Sequence, residues 1–203
     1  DMPRAVRRKP KKKKSINHKV DSKCRQGRNF DDYHAYMEEH PDSIVCQIDT
    51  VEGTKGGKCI LTLCFVTLKF QFGILREHND SHSVTQAFQY LYSIMDHNLF
   101  HLLFDVILTD NGTEFSNPTA IESLEDNGIH PHVFYCEPNR SDQKGSCEND
   151  HSNFRRIVPK GTNMDPYTQE LFGLIFSHVN LFSLTSLFVH TSYESFIFLY
   201  GQS

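Results

Sequence analysis

Three apolar runs follow one another between residues 44 and 75: Ile44 to Asp49, Cys59 to Leu68, and Phe70 to Leu75. A polar turn around Glu52-Gly53 and Gly56-Gly57 joins the first two, and Lys69 alone joins the last two. Neither connector can hold the crossover that parallel strands require, so the runs predict an antiparallel meander. Any fold for this chain must be built on that sheet.

Beyond the meander the period changes. Val84, Phe88, Leu91 and Met95 form one helical stripe over Ser81 to Met95, with Ser81 or Ser83 as N-cap. A fourth strand is expected over Phe104 to Thr109, ending at the turn signal Asp110-Asn111-Gly112. A helix from Pro118 to Glu125 closes at Asn127-Gly128, and a fifth strand covers His132 to Cys136. Gln143 to Val158 reads as a helix stopped by Pro159 and Gly161. The order predicts an α/β fold, a mixed sheet of a three-strand meander plus two parallel strands with flanking helices. Sixteen Phe and eight Tyr with no Trp predict a core built around Phe.

A formal net charge of −4 conceals a division. Residues 1–28 hold twelve Lys/Arg against two Asp, while the rest of the chain holds nine against 23 acids. Residues 1–29 therefore read as a basic, flexible arm, either a solvated tail or a contact for a polyanion. Residues 30–41 read as a linker helix, 42–165 as the core, and 166–203 as a helical tail. Leu171 to Val189 is nearly uncharged and long enough to span a bilayer. His178, Asn180 and four Ser/Thr interrupt it, and no basic flank follows. A buried helix, with a second short one near Tyr193 to Tyr200, is the better reading, and no membrane partner is expected. Six cysteines form no CxxC pair and no finger-like spacing with the twelve His. The start of the sequence has no signal-peptide pattern, so reduced thiols and a cytoplasmic setting are expected.

Two strands end in aspartate, Asp49 and Asp110, and the later helix carries Glu148. A strand-terminal Asp is by itself a turn former. If the first and fourth strands are neighbours, however, both carboxylates leave one edge of the sheet and repel unless a cation lies between them. A third carboxylate would complete an all-oxygen site suited to Mg²⁺ or Mn²⁺, and two such ions serve phosphodiester chemistry. On the helix, Lys144, Glu148, Ser152 and Arg155 share a face, opposite a core stripe of Cys147, Phe154 and Val158.

The blocks IDTVEG (48–53), LTDNGTEFSNP (108–118) and QKGSCEN (143–149), followed by RRIVPKGT (155–162), resemble insertion-sequence transposases of the IS-thirty family. That family belongs to the Asp-Asp-Glu group on an RNase H-like fold. The resemblance implies a catalytic and metal-binding triad of Asp49, Asp110 and Glu148. It also implies two Mg²⁺ (or Mn²⁺) ions and DNA contacts from Lys144, Arg155, Arg156, Lys160, Asn111 and Glu114. Element ends and target DNA are the implied partners, met as a homodimer or higher multimer in the bacterial nucleoid. The family's amino-terminal helix-turn-helix is expected to be missing. The chain departs from the family at the neutral LFSLTSLF (181–188), where relatives carry basic residues, and at Ser192, where they carry Pro. Those departures favour the alternative, a catalytically decayed or regulatory DNA-binding protein that retains the fold.

Overall fold

The computed structural model describes residues 22–67, 70–124, 130–138, 140, 143 and 152–181. Five strands form one sheet: β1 (Val45–Glu52), β2 (Cys59–Phe65), β3 (Phe70–Arg76), β4 (Val106–Thr109) and β5 (His132–Tyr135). Their order is β3-β2-β1-β4-β5. β1, β2 and β3 pair antiparallel, whereas β4 runs parallel to both β1 and β5. This is the mixed α/β sheet that the pattern of runs predicted, and it is compatible with an RNase H-like core.

The helices are α1 (Phe30–Glu39), α2 (Ser81–Ile94), α3 (His97–Leu103), α4 (Pro118–Glu122), α5, described over residues 152–157, and α6 (Gln169–Asn180). Asn29 caps α1 in a full capping box with Asp32. Asp80, not Ser81 or Ser83, caps α2 by accepting the Ser83 amide. The expectation of a continuous strand from Phe104 misses α3. Asp96 caps that short helix, which buries Phe100 and Leu103, and β4 starts only at Val106. The second run also ends early, at Phe65 instead of Leu68. Residues 144–151 of the helix expected from Gln143, and the second tail helix near Tyr193, lie outside the described residues.

Alternation along β1 divides the core in two. Cys46 and Ile48 face α2, α3 and α4, where Phe65, Phe88, Phe100 and Phe104 are all fully buried. Ring centroids lie 4.8 Å apart for Phe100–Phe104 and 5.6 Å for Phe88–Phe104. Each such side chain contributes roughly 1.5–3 kcal/mol by leaving water, so the Phe-rich composition is spent here. Val45 and Val51 face the other way. Val45 joins Val106, Leu108 and Phe134 beneath α1, and Val51 joins Phe154, Val158, Phe172 and Phe176 beneath α5 and α6. α6 lies on β3, where Gly73 admits the Phe176 ring: a Cβ there would come within 2.4 Å of it. Asn180 bonds both main-chain groups of Gln71, its Oδ1 accepting from the amide at 3.1 Å and its Nδ2 donating to the carbonyl at 2.6 Å. No helix among the described residues is long and apolar enough to cross a membrane.

Candidate active site

Asp49 does not end its strand, contrary to the sequence reading. β1 continues through Thr50 and Val51 to Glu52, because pairing with β2 is unbroken from Cys46↔Phe65 to Glu52↔Cys59. What stops near Asp49 is the parallel pairing with β4, which runs Val45↔Val106, Cys46↔Ile107 and Gln47↔Leu108. Continued by two residues, that register sets Asp49 opposite Asp110, on strands roughly 4.8 Å apart. Alternation turns Asp49 towards the face of Val45, which is the face that α1, α5 and α6 cover, and Asp110 follows directly on the end of β4.

Local bonds hold each carboxylate. The half-buried Asp49 accepts the Thr50 amide on Oδ1 at 2.8 Å. The exposed Asp110 accepts the Gly112 amide on Oδ1 at 2.8 Å, which closes the turn after β4. An ideal Cβ on Gly112 would lie 2.5 Å from Glu114 Oε2 and 3.0 Å from Asp110 Oδ1. Those two carboxylates therefore gather against a residue that has no side chain. Two acids so placed favour a cation. Asn111 donates through Nδ2 to the Cys136 carbonyl at 2.6 Å, tying the turn to the end of β5.

Arg155 lies on the same side. Its Nη2 donates to the Glu52 carbonyl at 3.4 Å, and its buried Nη1 has no hydrogen-bond partner among the described groups. Burial pushes its pKa down, and the negative charge of Asp49 partly opposes that shift. Phe154 and Val158 are fully buried, as the helix stripe predicted, while Arg156 and Lys160 are exposed. Glu148 and Lys144 lie outside the described residues. Among those described, no group of three His, Cys, Asp or Glu is arranged to hold a metal. The structure thus brings Asp49, Asp110, Glu114 and Arg155 to one end of the sheet.

Three arginines that sequence reasoning left unassigned support this end of the sheet. Arg76, only 4% exposed, donates to Thr50 Oγ1 at 2.7 Å and Ser83 Oγ at 2.9 Å on the opposite face. It so braces the residue whose amide holds Asp49. Burial lowers its pKa, and the surrounding Cys59, Glu114, Asp80 and Glu52 work against that. Arg25 donates to the Asn111 carbonyl at 2.9 Å and lies over the Tyr135 ring. Arg28 grips Glu122 with two bonds, at 2.9 and 2.5 Å, and its carbonyl accepts the Tyr135 amide at 2.8 Å. Residues 22–28 therefore do not belong to a free arm. Spacing held no signal for Arg76, and the surrounding basic run masked Arg25 and Arg28.

No family model matches the chain. Over 71 residues it is 38% identical to the transposase for insertion sequence element IS1086 of Cupriavidus metallidurans. The match covers 35% of this chain and 20% of that protein, so the chain is similar to part of an insertion-sequence transposase.

Proposed function

We propose that the chain carries the catalytic core of an IS-thirty-type, Asp-Asp-Glu transposase that cuts DNA at element ends and joins the freed 3′-hydroxyl to target DNA. The observation that supports this most is the parallel β1–β4 register, which, continued by two residues beyond Gln47↔Leu108, sets Asp49 opposite Asp110. The partial match to an insertion-sequence transposase supports the same reading.

In this reading Asp49 and Asp110 are metal ligands, Glu148 supplies the third carboxylate, and Glu114 lies beside Asp110. Bound Mg²⁺ or Mn²⁺, as two ions, would polarise the scissile phosphate and stabilise the attacking and leaving oxygens. Arg155, Arg156, Lys160 and Lys144 would hold the phosphate chain in line, and the basic arm would add affinity without sequence preference. Asn111 fixes the turn that carries Asp110. Work on two DNA ends requires a dimer or higher multimer, acting on the cell's own DNA.

The test is strand cleavage of an end-labelled duplex carrying the element end, with and without Mg²⁺, for wild type and Asp110→Asn. The substitution removes a charged ligand but keeps its size. Cleavage should vanish while the melting temperature holds or rises slightly in metal-free buffer, because carboxylate repulsion is relieved. Equal cleavage by both proteins would place the chemistry elsewhere. Equal inactivity with Mg²⁺ and Mn²⁺ would favour a DNA-binding protein that keeps only the fold.

A further inference from the structure

After residue 28 the chain has nine Lys/Arg against 23 acids, yet five of those nine occupy two short segments, Lys55 to Lys58 and Arg155 to Lys160. The segments are far apart in sequence and adjacent in space. The Lys58 amide donates to Asp165 Oδ1 at 3.0 Å, and Arg155 reaches the Glu52 carbonyl. A Cβ on Gly53 would meet the Thr162 carbonyl oxygen at 2.2 Å, so the β1–β2 turn lies directly on the chain that follows α5. Beneath both, Val51 and Ile60 share a cluster with Phe154, Val158 and Met164.

The cations at this junction differ in what engages them. Lys58 is paired with Glu77 at 3.1 Å, and the acids nearest the turn, Glu52 and Asp165, accept from the Asn79 side chain and from the Lys58 amide. Lys55, Arg156 and Lys160 are exposed, and Arg155, which feels the charge of Asp49, keeps a buried Nη1 without a hydrogen-bond partner among the described residues. An acidic body that concentrates its cations next to its acidic site has a surface suited to a polyanion that must cross that site.

We infer that the β1–β2 turn and the segment after α5 form one phosphate-binding surface, on which the backbone of duplex DNA lies as it leaves the Asp49–Asp110 site, with Lys55 as a direct phosphate contact. Arg155 stands at the inner end of this track, next to Asp49. Arg156 and Lys160, both exposed, continue it along the chain, and the exposed Lys55 lies on the turn packed against that chain. Lys58, held by Glu77, contributes less. The contacts are to phosphate and carry no base specificity. The assignment of this track to DNA rests on the transposase reading, whereas its existence as a surface rests on geometry and charge.

The experiment is a fluorescence-anisotropy titration of the full chain with a labelled random-sequence DNA duplex in chelator, repeated over a series of salt concentrations. Lys55→Gln should weaken binding and reduce the slope of log affinity against log salt by about 0.9, the value for one phosphate contact on duplex DNA. Lys55→Gln with Lys160→Gln should remove about twice that. Arg140→Gln is the control, since Arg140 is exposed and its guanidinium is already paired with Glu137. A Lys55→Gln slope equal to that of Arg140→Gln overturns the inference. Cleavage with Mg²⁺ on the same preparations separates the two readings. A wild type that binds through Lys55 but never cleaves keeps the surface and loses the transposase. A wild type that cleaves, with Lys55→Gln binding unchanged, loses the surface alone.

Discussion

Gly112→Ala separates what the turn after β4 does for stability from what it does for chemistry. Gly112 has φ −58° and ψ 150°, which alanine adopts without strain. On backbone grounds the substitution therefore stabilises, by about 0.4–1 kcal/mol, through a less flexible unfolded chain. Against this stands the new methyl group, 2.5 Å from Glu114 Oε2, 2.8 Å from Glu114 Cδ and 3.0 Å from Asp110 Oδ1. Ordinary carbon–oxygen contact requires roughly 3.4 Å, so Glu114 must retreat by about 0.9 Å and Asp110 by a few tenths. Glu114 moves at its flexible end and yields cheaply, so net stability should stay within about 1 kcal/mol of wild type, a melting shift of about 2–4 °C or less. In the proposed reading Asp110 is a metal ligand and tolerates far less movement than Glu114; since a misplacement of about 1 Å costs on the order of a hundredfold in rate, its shift of a few tenths should slow cleavage by roughly a fewfold to tenfold. The assays are thermal unfolding and Mg²⁺-dependent strand cleavage on one preparation. Wild-type cleavage by Gly112→Ala would refute the idea that the gathering of Asp110 and Glu114 at this turn matters. A stability loss above about 2 kcal/mol would show the turn to be rigid where yielding side chains are expected.

Two further perturbations test the frame around the site. Arg28→Ala should destabilise the fold by about 1.5–3 kcal/mol, the range for hydrogen bonds to charged groups, because Glu122 keeps only its bond from the Val133 amide; a loss below 0.5 kcal/mol in urea unfolding, on the order of a surface substitution, would mean that residues 22–28 are not anchored as described. Asp80→Ala removes the α2 cap and should cost about 1 kcal/mol at neutral pH. The Ser83 amide holds the Asp80 carboxyl below its ordinary 3.8, so this stabilisation is complete above that pH and fades as acid titrates the folded carboxylate. Urea unfolding of both proteins as pH falls through the carboxylate range should show their difference closing, and a gap that stays constant in acid would contradict the cap.

The parts of the fold that were legible in sequence are those fixed by neighbours along the chain. Runs as close as Cys59 to Phe65 and Phe70 to Arg76 have no option but to turn back on each other, and their pairing is as the short connector required. The stripe of Val84, Phe88 and Leu91 gives its own helix and its own buried face. α3 was missed because a seven-residue helix carries barely two turns of pattern, and Phe104 extends the apolar run straight into β4. Arg76 was missed for a different reason. Its burial depends on Thr50 and Ser83, contacts that exist only after the sheet and α2 have formed. Local pattern cannot distinguish such an arginine from a solvated one.

The candidate site lies between these cases. Asp49 and Asp110 were read as strand ends, yet Asp49 sits inside β1, and its proximity to Asp110 comes from a shared register. That is a stronger constraint than two loose ends would be. The side-chain period of a strand is two, so a slip of β1 by one residue would carry Asp49 to the face of Ile48 and Phe88, away from Arg155. The slip would also expose Cys46 and Ile48, both at most 1% accessible, to the face that Val45 and Val51 now occupy. The same burial that stabilises the sheet therefore fixes the register that sets Asp49 opposite Asp110. Pairing with β2 through Glu52 then holds the strand straight past that point, and Arg76 on Thr50 secures it from behind. In the proposed reading two acids that repel each other could not keep such an approach on their own; the register that sets Asp49 opposite Asp110 is held by the hydrophobic core on either face of β1.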